Sequence, residues 1–232
     1  MESWVQPTLE TESQGDLIDA LFGCSVKLPK LMWAAADLYS ASKDPHTTQV
    51  EIQQRAGKLQ AEIRATKIDP QSRPSVGILC HASGQTVPAT VTLDEEELRR
   101  RMVATAEIFR HASHIYVYRI AHEPEQPLAE DIQASLVAAL ELLPIVPDAL
   151  GPGANLGWCL VVIGAELDLG DQRDYFRSRL ASLHLLGIHN TKNGHNILEE
   201  VWNHRDLVSK GQAPPERWQD IMQRIGESQI LV

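Results

Sequence analysis

Apolar residues recur at three- and four-residue intervals along most of this chain, the spacing that lines one face of an α-helix. Leu17, Ile18, Leu21 and Phe22 predict a short helix stopped by Gly23. Leu28, Leu31, Met32, Ala35 and Leu38 predict a second, with Pro29 in the first turn, where a missing N–H costs nothing. Beyond the break at Asp44 and Pro45, Val50, Ile52, Leu59 and Ile63 carry a charged third helix to about Thr66. A long helix follows near Asp94. Thr92 or Asp94 is placed to cap it, and Glu95, Glu96 and Glu97 put negative charge at the positive end of its dipole. Those acids predict i,i+4 pairs with Arg99, Arg100 and Arg101, so the basic run belongs to a solvated, salt-bridged helix face. Leu98, Met102, Ala106 and Phe109 begin its apolar row, and Ala112, Ile115, Tyr116 and Ile120 extend it until Pro124 and Pro127. Ile132, Leu136, Val137 and Leu140 predict a further helix closed by Pro144 to Pro147, and four more helical segments fall near 155–168, 171–187, 194–209 and 215–229.

Two stretches break the helical pattern. Residues 1–14 are polar and acidic and predict a disordered tail, leaving 15–232 as one helical domain. Residues 67–92, punctuated by Pro70, Pro74, Gly77, Gly84 and Pro88, predict a long loop suited to covering a groove. The fold class is therefore all-α, a single multi-helix domain with one long loop.

Composition narrows what such a domain does. Among 232 residues, 43% are hydrophobic and 22% charged, a globular balance. With 21 Lys and Arg against 31 Asp and Glu, the formal net charge is −10, which argues against direct nucleic-acid binding by this chain, because phosphate contacts need a basic face. Neither an N-terminal secretion signal nor a membrane-spanning run is visible. The three cysteines, Cys24, Cys80 and Cys159, are too scattered for a disulfide scaffold or a zinc site.

Candidate chemistry is sparse. The run Leu160 to Ala165 could form a buried strand, with Gly164 and Gly170 after it, but five residues separate those glycines and no phosphate cradle results. Nine histidines include His111 and His114 on one helix face and His184, His189 and His195 near a joint, without the acidic residues of a metalloenzyme motif. No metal, cofactor or catalytic constellation is predicted. Trp33, Trp158, Trp202 and Trp218 read as core anchors, with an apolar pocket between helices as the alternative. Glu166, one turn beyond Val162, needs a buried partner, and Arg173 or Arg179 is expected to supply it.

Several ordered motifs carry a resemblance. Ala106-Glu107-Ile108-Phe109-Arg110-His111-Ala112, followed by Ile115-Tyr116-Val117-Tyr118-Arg119, resembles a helix of the fungal-specific transcription factor domain of the second type. Trp158 through Glu166 is similar to that family's tryptophan-led helix, Asp171-Gln172-Arg173 and Arg179-Leu180 to its acidic-arginine element, and Glu199 through Asp206 to its closing helix. Leu21 through Ser25, with Leu28 and Leu31, is similar to its glycine–small–serine helix start. The resemblance covers residues 15–230 and implies an all-α regulatory region that normally follows a zinc-cluster DNA-binding module. It assigns structural roles to Trp158, Glu166, Arg173, Arg179, Trp202, Arg205 and Asp206. It also implies a regulator in the nucleus, with the cytoplasm as the alternative, often serving metabolic or biosynthetic genes. Expected partners are transcriptional regulators, a second copy of the chain, or a small apolar ligand. Three scattered cysteines cannot build the family's six-cysteine cluster, so that module and part of the helical region are expected to be missing, and Cys159 stands where a proline often follows the tryptophan. The competing expectation is an enzyme on the same scaffold acting on an apolar secondary metabolite, with His111, His114, Tyr118 and His122 as its candidate pocket groups.

Overall fold

The computed structural model describes residues 17–19, 23–66, 68–69, 94–124, 126–148, 152–188 and 190–227. Among these residues it is all-α, with eight α-helices and no strand. The helices are α1 (Leu28–Ser42), α2 (Gln49–Ala65), α3 (Glu95–Ala121), α4 (Glu130–Leu142), α5 (Gly157–Gly164), α6 (Gly170–Leu185), α7 (Asn190–Ser209) and α8 (Trp218–Arg224), with 3-10 turns at Leu143–Ile145 and Pro152–Leu156. The expected tail lies outside the described residues, as does nearly all of the expected loop at 67–92.

Helix α3 is the hub. It packs against α1, α2, α4 and α5 and both 3-10 turns. From Ala104 onward its sequence is small or apolar on nearly every face, and Ala106, Ile108, Ala112, Ile115 and Ile120 are fully buried. Hydroxyls inside this helix are satisfied one turn back, Thr105 donating to the Arg101 carbonyl at 2.8 Å and Ser113 to that of Phe109 at 2.7 Å. Its acidic start pairs as Glu97 with Arg101 at 2.8 Å, but Glu96 turns to Arg99 three residues on, and Glu97 also lies 3.7 Å from Arg100. Thus only one of the three expected i,i+4 pairs forms as spaced.

The second layer is built on α5. All eight of its residues are buried, and it packs against α3, α6 and α7. The apolar run expected as strand or helix is thus a helix, too short to expose any face. Gly164 lets α6 and α7 close on its end, because a Cβ there would stand 2.7 Å from Leu198 Cδ1 and 3.1 Å from Phe176 Cδ1. α8 closes the layer against α7.

Two expectations are corrected here. Around Gly23 the chain forms a tight reversal rather than the end of a helix, since Ile18 bridges Ser25 in antiparallel fashion and the Val26 N–H reaches the Leu17 carbonyl at 3.0 Å. Gly23 supplies the positive φ of 70° that such a reversal demands. Trp33 is 76% exposed, not a core anchor, because Met32 and Ala35 take the inward face of α1 and its neighbour is rotated off it.

Candidate functional site

The turn that follows α5 gathers most of the polar residues the sequence singled out. Its backbone carbonyls face inward and are met by side chains from α6 and α7. Trp202 Nε1 donates to the Gly164 carbonyl at 2.8 Å, Arg205 to that of Ala165, and Arg173 Nε to that of Leu167 at 3.3 Å. Arg173 then holds Asp206 at 3.1 Å, and Arg205 holds Asp168 at 2.7 Å. Two guanidinium groups from α6 lie over the Trp202 ring, Arg173 at 5.6 Å and Arg177 at 4.8 Å from its centre. Arg177 also takes the Glu199 carboxylate, and this hydrogen bond holds that carboxyl below its usual range.

Glu166 belongs to the same turn, and its partner differs from the expected one. Arg119 from the end of α3 engages it in a two-pronged bridge, Nε to Oε1 at 2.9 Å and Nη2 to Oε2 at 2.7 Å. The side chains are 10% and 5% exposed, and Arg119 spends its remaining donor on the carbonyls of Glu123 and Gln126. Arg173 is unavailable because it already clasps Asp206. Arg179 points elsewhere, donating to the Leu143 and Val146 carbonyls at 2.9 and 2.8 Å and pairing with Asp148. Trp158 is 5% exposed and meets the Tyr116 ring edge-on at 5.6 Å.

This polar knot forms one side of a cavity of about 1000 Å3. The segment before α4 and one face of α4 bound it too, with the end of α7 and the residues leading into α8. Its charged lining is balanced, with Arg119, Arg173, Arg205 and Arg217 against Glu166, Asp168, Asp206 and Glu216, plus His204. His204 Nε2 meets the Pro214 carbonyl at 2.9 Å and Ser209 donates to that of Asp206 at 2.9 Å, so neither activates the other. Two lining side chains are left incomplete. Gln219 is 2% exposed with neither amide atom hydrogen-bonded, and Arg217 Nε is buried without a partner. Each such group costs about 1–3 kcal/mol in a dry site, so they are the features the fold alone does not explain.

A family model described as the fungal specific transcription factor domain matches residues 1–232. The chain belongs to that family. No curated protein and no solved structure matches it. In this transcription factor domain the family-motif residues Glu166, Arg173, Trp202, Arg205 and Asp206 converge on one turn, while Trp158 and Arg179 brace the core nearby. No described helix is long and apolar enough to cross a membrane. Among the described residues no group of three or more His, Cys, Asp or Glu is arranged to hold a metal ion.

The expected pocket groups do not line the cavity of this transcription factor domain. His111, His114 and Tyr118 lie on α3 and His122 follows its last residue; α4 packs on His114 and the chain before α4 on Tyr118. His114 Nδ1 lies 2.9 Å from Ser135 Oγ, and Tyr118 donates to the Pro127 carbonyl at 3.0 Å. Ser135 Oγ also lies 3.2 Å from the Asp131 carbonyl, and His114 Nε2 has no hydrogen-bond partner. Burial above all holds both His114 and His111 down at about 4, with Arg110 adding to the effect on each. His122 stacks on the Tyr118 ring at 4.0 Å. Of the four tryptophans among the described residues, Trp218 alone lines the cavity. Arg119 stood within a recognised motif without an assigned role. Nothing in the sequence marked Arg217 or Gln219, since an unmet hydrogen bond is a property of three-dimensional neighbours.

Proposed function

We propose that the chain is a non-catalytic regulatory domain that acts in transcription, in the nucleus, by binding a small ligand in the cavity beside the α5–α6 turn. Membership of a transcription factor domain family supports the regulatory role. The observation that carries the binding role is a roomy cavity whose wall is prebuilt by the Arg119–Glu166, Arg173–Asp206 and Arg205–Asp168 pairs and lined beside them by Leu136, Val137 and Leu169. A catalytic role finds no support in His111 and His114, because neither lines the cavity and both are packed inside, His114 against Ser135 and His111 beside Glu107.

The test is to tether the full chain to a heterologous DNA-binding module in a fungal reporter strain. The domain is expected to raise or lower reporter output relative to the module alone, and a substitution that fills the cavity, Val137→Trp, is expected to change that output without unfolding the chain. Output identical to the bare module in every growth medium tried would sink the regulatory reading.

A further inference from the structure

Among the exposed apolar side chains, Trp33 stands apart in size and in setting. Helix α1 turns Leu28, Met32, Ala35 and Leu38 to the core, so its opposite face carries Lys30, Trp33, Ala34 and Asp37 at helical spacing. Val26, just before the helix, and the half-buried Ala41 continue that stripe at its two ends. Leu17 adds to the apolar end, exposed beside Val26, whose N–H its carbonyl accepts at 3.0 Å. The neighbouring helix α2 shows the ordinary alternative, an outward face of Gln53, Arg55, Lys58 and Glu62. No residue of α1 lines the cavity beside the α5–α6 turn, so the two surfaces are separate.

The charges on this face specify what covers it. Lys30 and Asp37 are exposed, and neither has an ion-pair partner among the described residues. They flank Trp33 and Ala34 symmetrically, each about 5 Å along the helix axis from the midpoint between those two residues. A second α1 laid antiparallel, with a two-fold axis through that midpoint, sets Lys30 of each copy opposite Asp37 of the other. One arrangement thus completes two ion pairs. It also lays each Trp33 over the other copy's Ala34, a large side chain on a small one, and brings Val26 to Ala41 at both ends. The midpoint faces outward with the stripe itself, so the symmetry axis and the apolar face coincide. A parallel pairing would set Lys30 against Lys30, and a partner segment of one sign would satisfy one charge and repel the other. We infer that the outward face of α1 is a self-association surface, on which two copies of the chain pair antiparallel about Trp33 and Ala34. One helix face is small beside a permanent interface, so the dimer is a weak one, with a Kd of about 10–100 µM.

Sedimentation velocity of the full chain from about 1 to 300 µM tests it, with melting followed at the lowest concentration. The chain is expected to pass from monomer to mostly dimer across that range, and Trp33→Glu to remain monomeric throughout. Lys30→Glu and Asp37→Lys each set like charges face to face twice, so each should weaken self-association about tenfold. Mixed in equal amounts, the two variants restore both ion pairs, and the mixture should dimerise as tightly as the unaltered chain. All three side chains are exposed, so each variant should keep the original Tm as a monomer. A chain that stays monomeric over the whole range overturns the inference. So does a dimer indifferent to Trp33→Glu, which forms through another face, or a mixture that associates no better than its components, which denies the antiparallel register. A monomeric Trp33→Glu that melts early would show that another part of the same chain covers the face, and overturns it too.

Discussion

Replacing Glu166 with Ala isolates the energetics of the α3–α5 joint. The carboxylate is 5% exposed and faces an arginine that is 10% exposed, so the substitution leaves a buried cation whose counter-charge has gone. Breaking a buried pair in this way costs about 3–5 kcal/mol, most of it the unmet desolvation of the survivor. Arg119 keeps its bonds to the Glu123 and Gln126 carbonyls, which places the expected loss at the lower end, about 3 kcal/mol. For a chain of this size each kcal/mol moves Tm by roughly 2–4 °C, so Glu166→Ala should melt about 6–12 °C early by calorimetry at neutral pH.

The pairwise origin of that loss is checked by a double substitution, Arg119→Met with Glu166→Leu. It removes both charges while keeping side-chain volume, and the two carbonyls it frees belong to exposed residues that water can reach. The double variant should recover at least half of the lost stability, since a buried ion pair is often no better than apolar residues of the same size. A Glu166→Ala protein that melts within about 2 °C of the original, or a double variant as unstable as the two single losses summed, would show that Glu166 and Arg119 are not the coupled pair described.

Other outcomes follow from individual contacts. Gln219→Leu should raise the apo protein's stability by about 1–2 kcal/mol in denaturant melts, because it removes a buried amide with no partners. Gly164→Ala should destabilise by about 1–2 kcal/mol as its Cβ presses on Leu198 and Phe176, whereas Gly57→Ala, with open space around it on α2, should stabilise by up to about 1 kcal/mol. His111 and His114, held at about 4 in the fold against an ordinary 6.5, make stability full above pH 6.5 and lost progressively as pH falls toward 4. With solvent screening allowed for, each contributes roughly 2 kcal/mol across that window, and a flat melting profile between pH 7 and 4.5 would contradict it.

What the sequence made legible divides by physical scale. Helical periodicity located α1 through α8 to within a few residues, because burial of one face is written into the spacing of Leu28, Met32, Ala35 and Leu38 or of Ile52, Leu59 and Ile63. It failed at Leu17 and Ile18, where the same spacing sits beside a glycine reversal, and at Trp33, where one residue of rotation separates core from solvent. The family motifs brought Glu166, Arg173, Trp202, Arg205 and Asp206 to attention as a set but left their pairing open. Arginine reach is long enough that any of three guanidinium groups could satisfy Glu166. The choice of Arg119, 47 residues away, follows from where α3 ends relative to α5.

The same consideration explains why the cavity was invisible beforehand. Three arginines that the motifs supply are consumed in closing the turn after α5: Arg119 by Glu166, Arg173 by Asp206, Arg205 by Asp168. A wall whose own charges cancel holds its shape without a ligand, and it leaves recognition to groups outside the motifs. Arg217 caps α8 and Gln219 lies in its first turn, and α8 packs chiefly on α7, so the edge of the cavity that they form depends on how α8 seats. A ligand held between the start of α8 and the neutralised wall would join α8 to the α5–α6 turn. In a regulatory domain that is a direct route from an occupied cavity to an altered outer surface, because α8 also carries Asp220, which binds Tyr39 at 2.8 Å and Lys43 on α1. Weakening that second anchor by Tyr39→Phe is therefore expected to loosen α8 and to lower Tm by about 2–4 °C in calorimetry, although Tyr39 does not line the cavity. An unchanged Tm together with unchanged amide-exchange protection of α8 in Tyr39→Phe would show that its packing on α7 and the Lys43–Asp220 pair seat α8 without help from the Tyr39 hydroxyl.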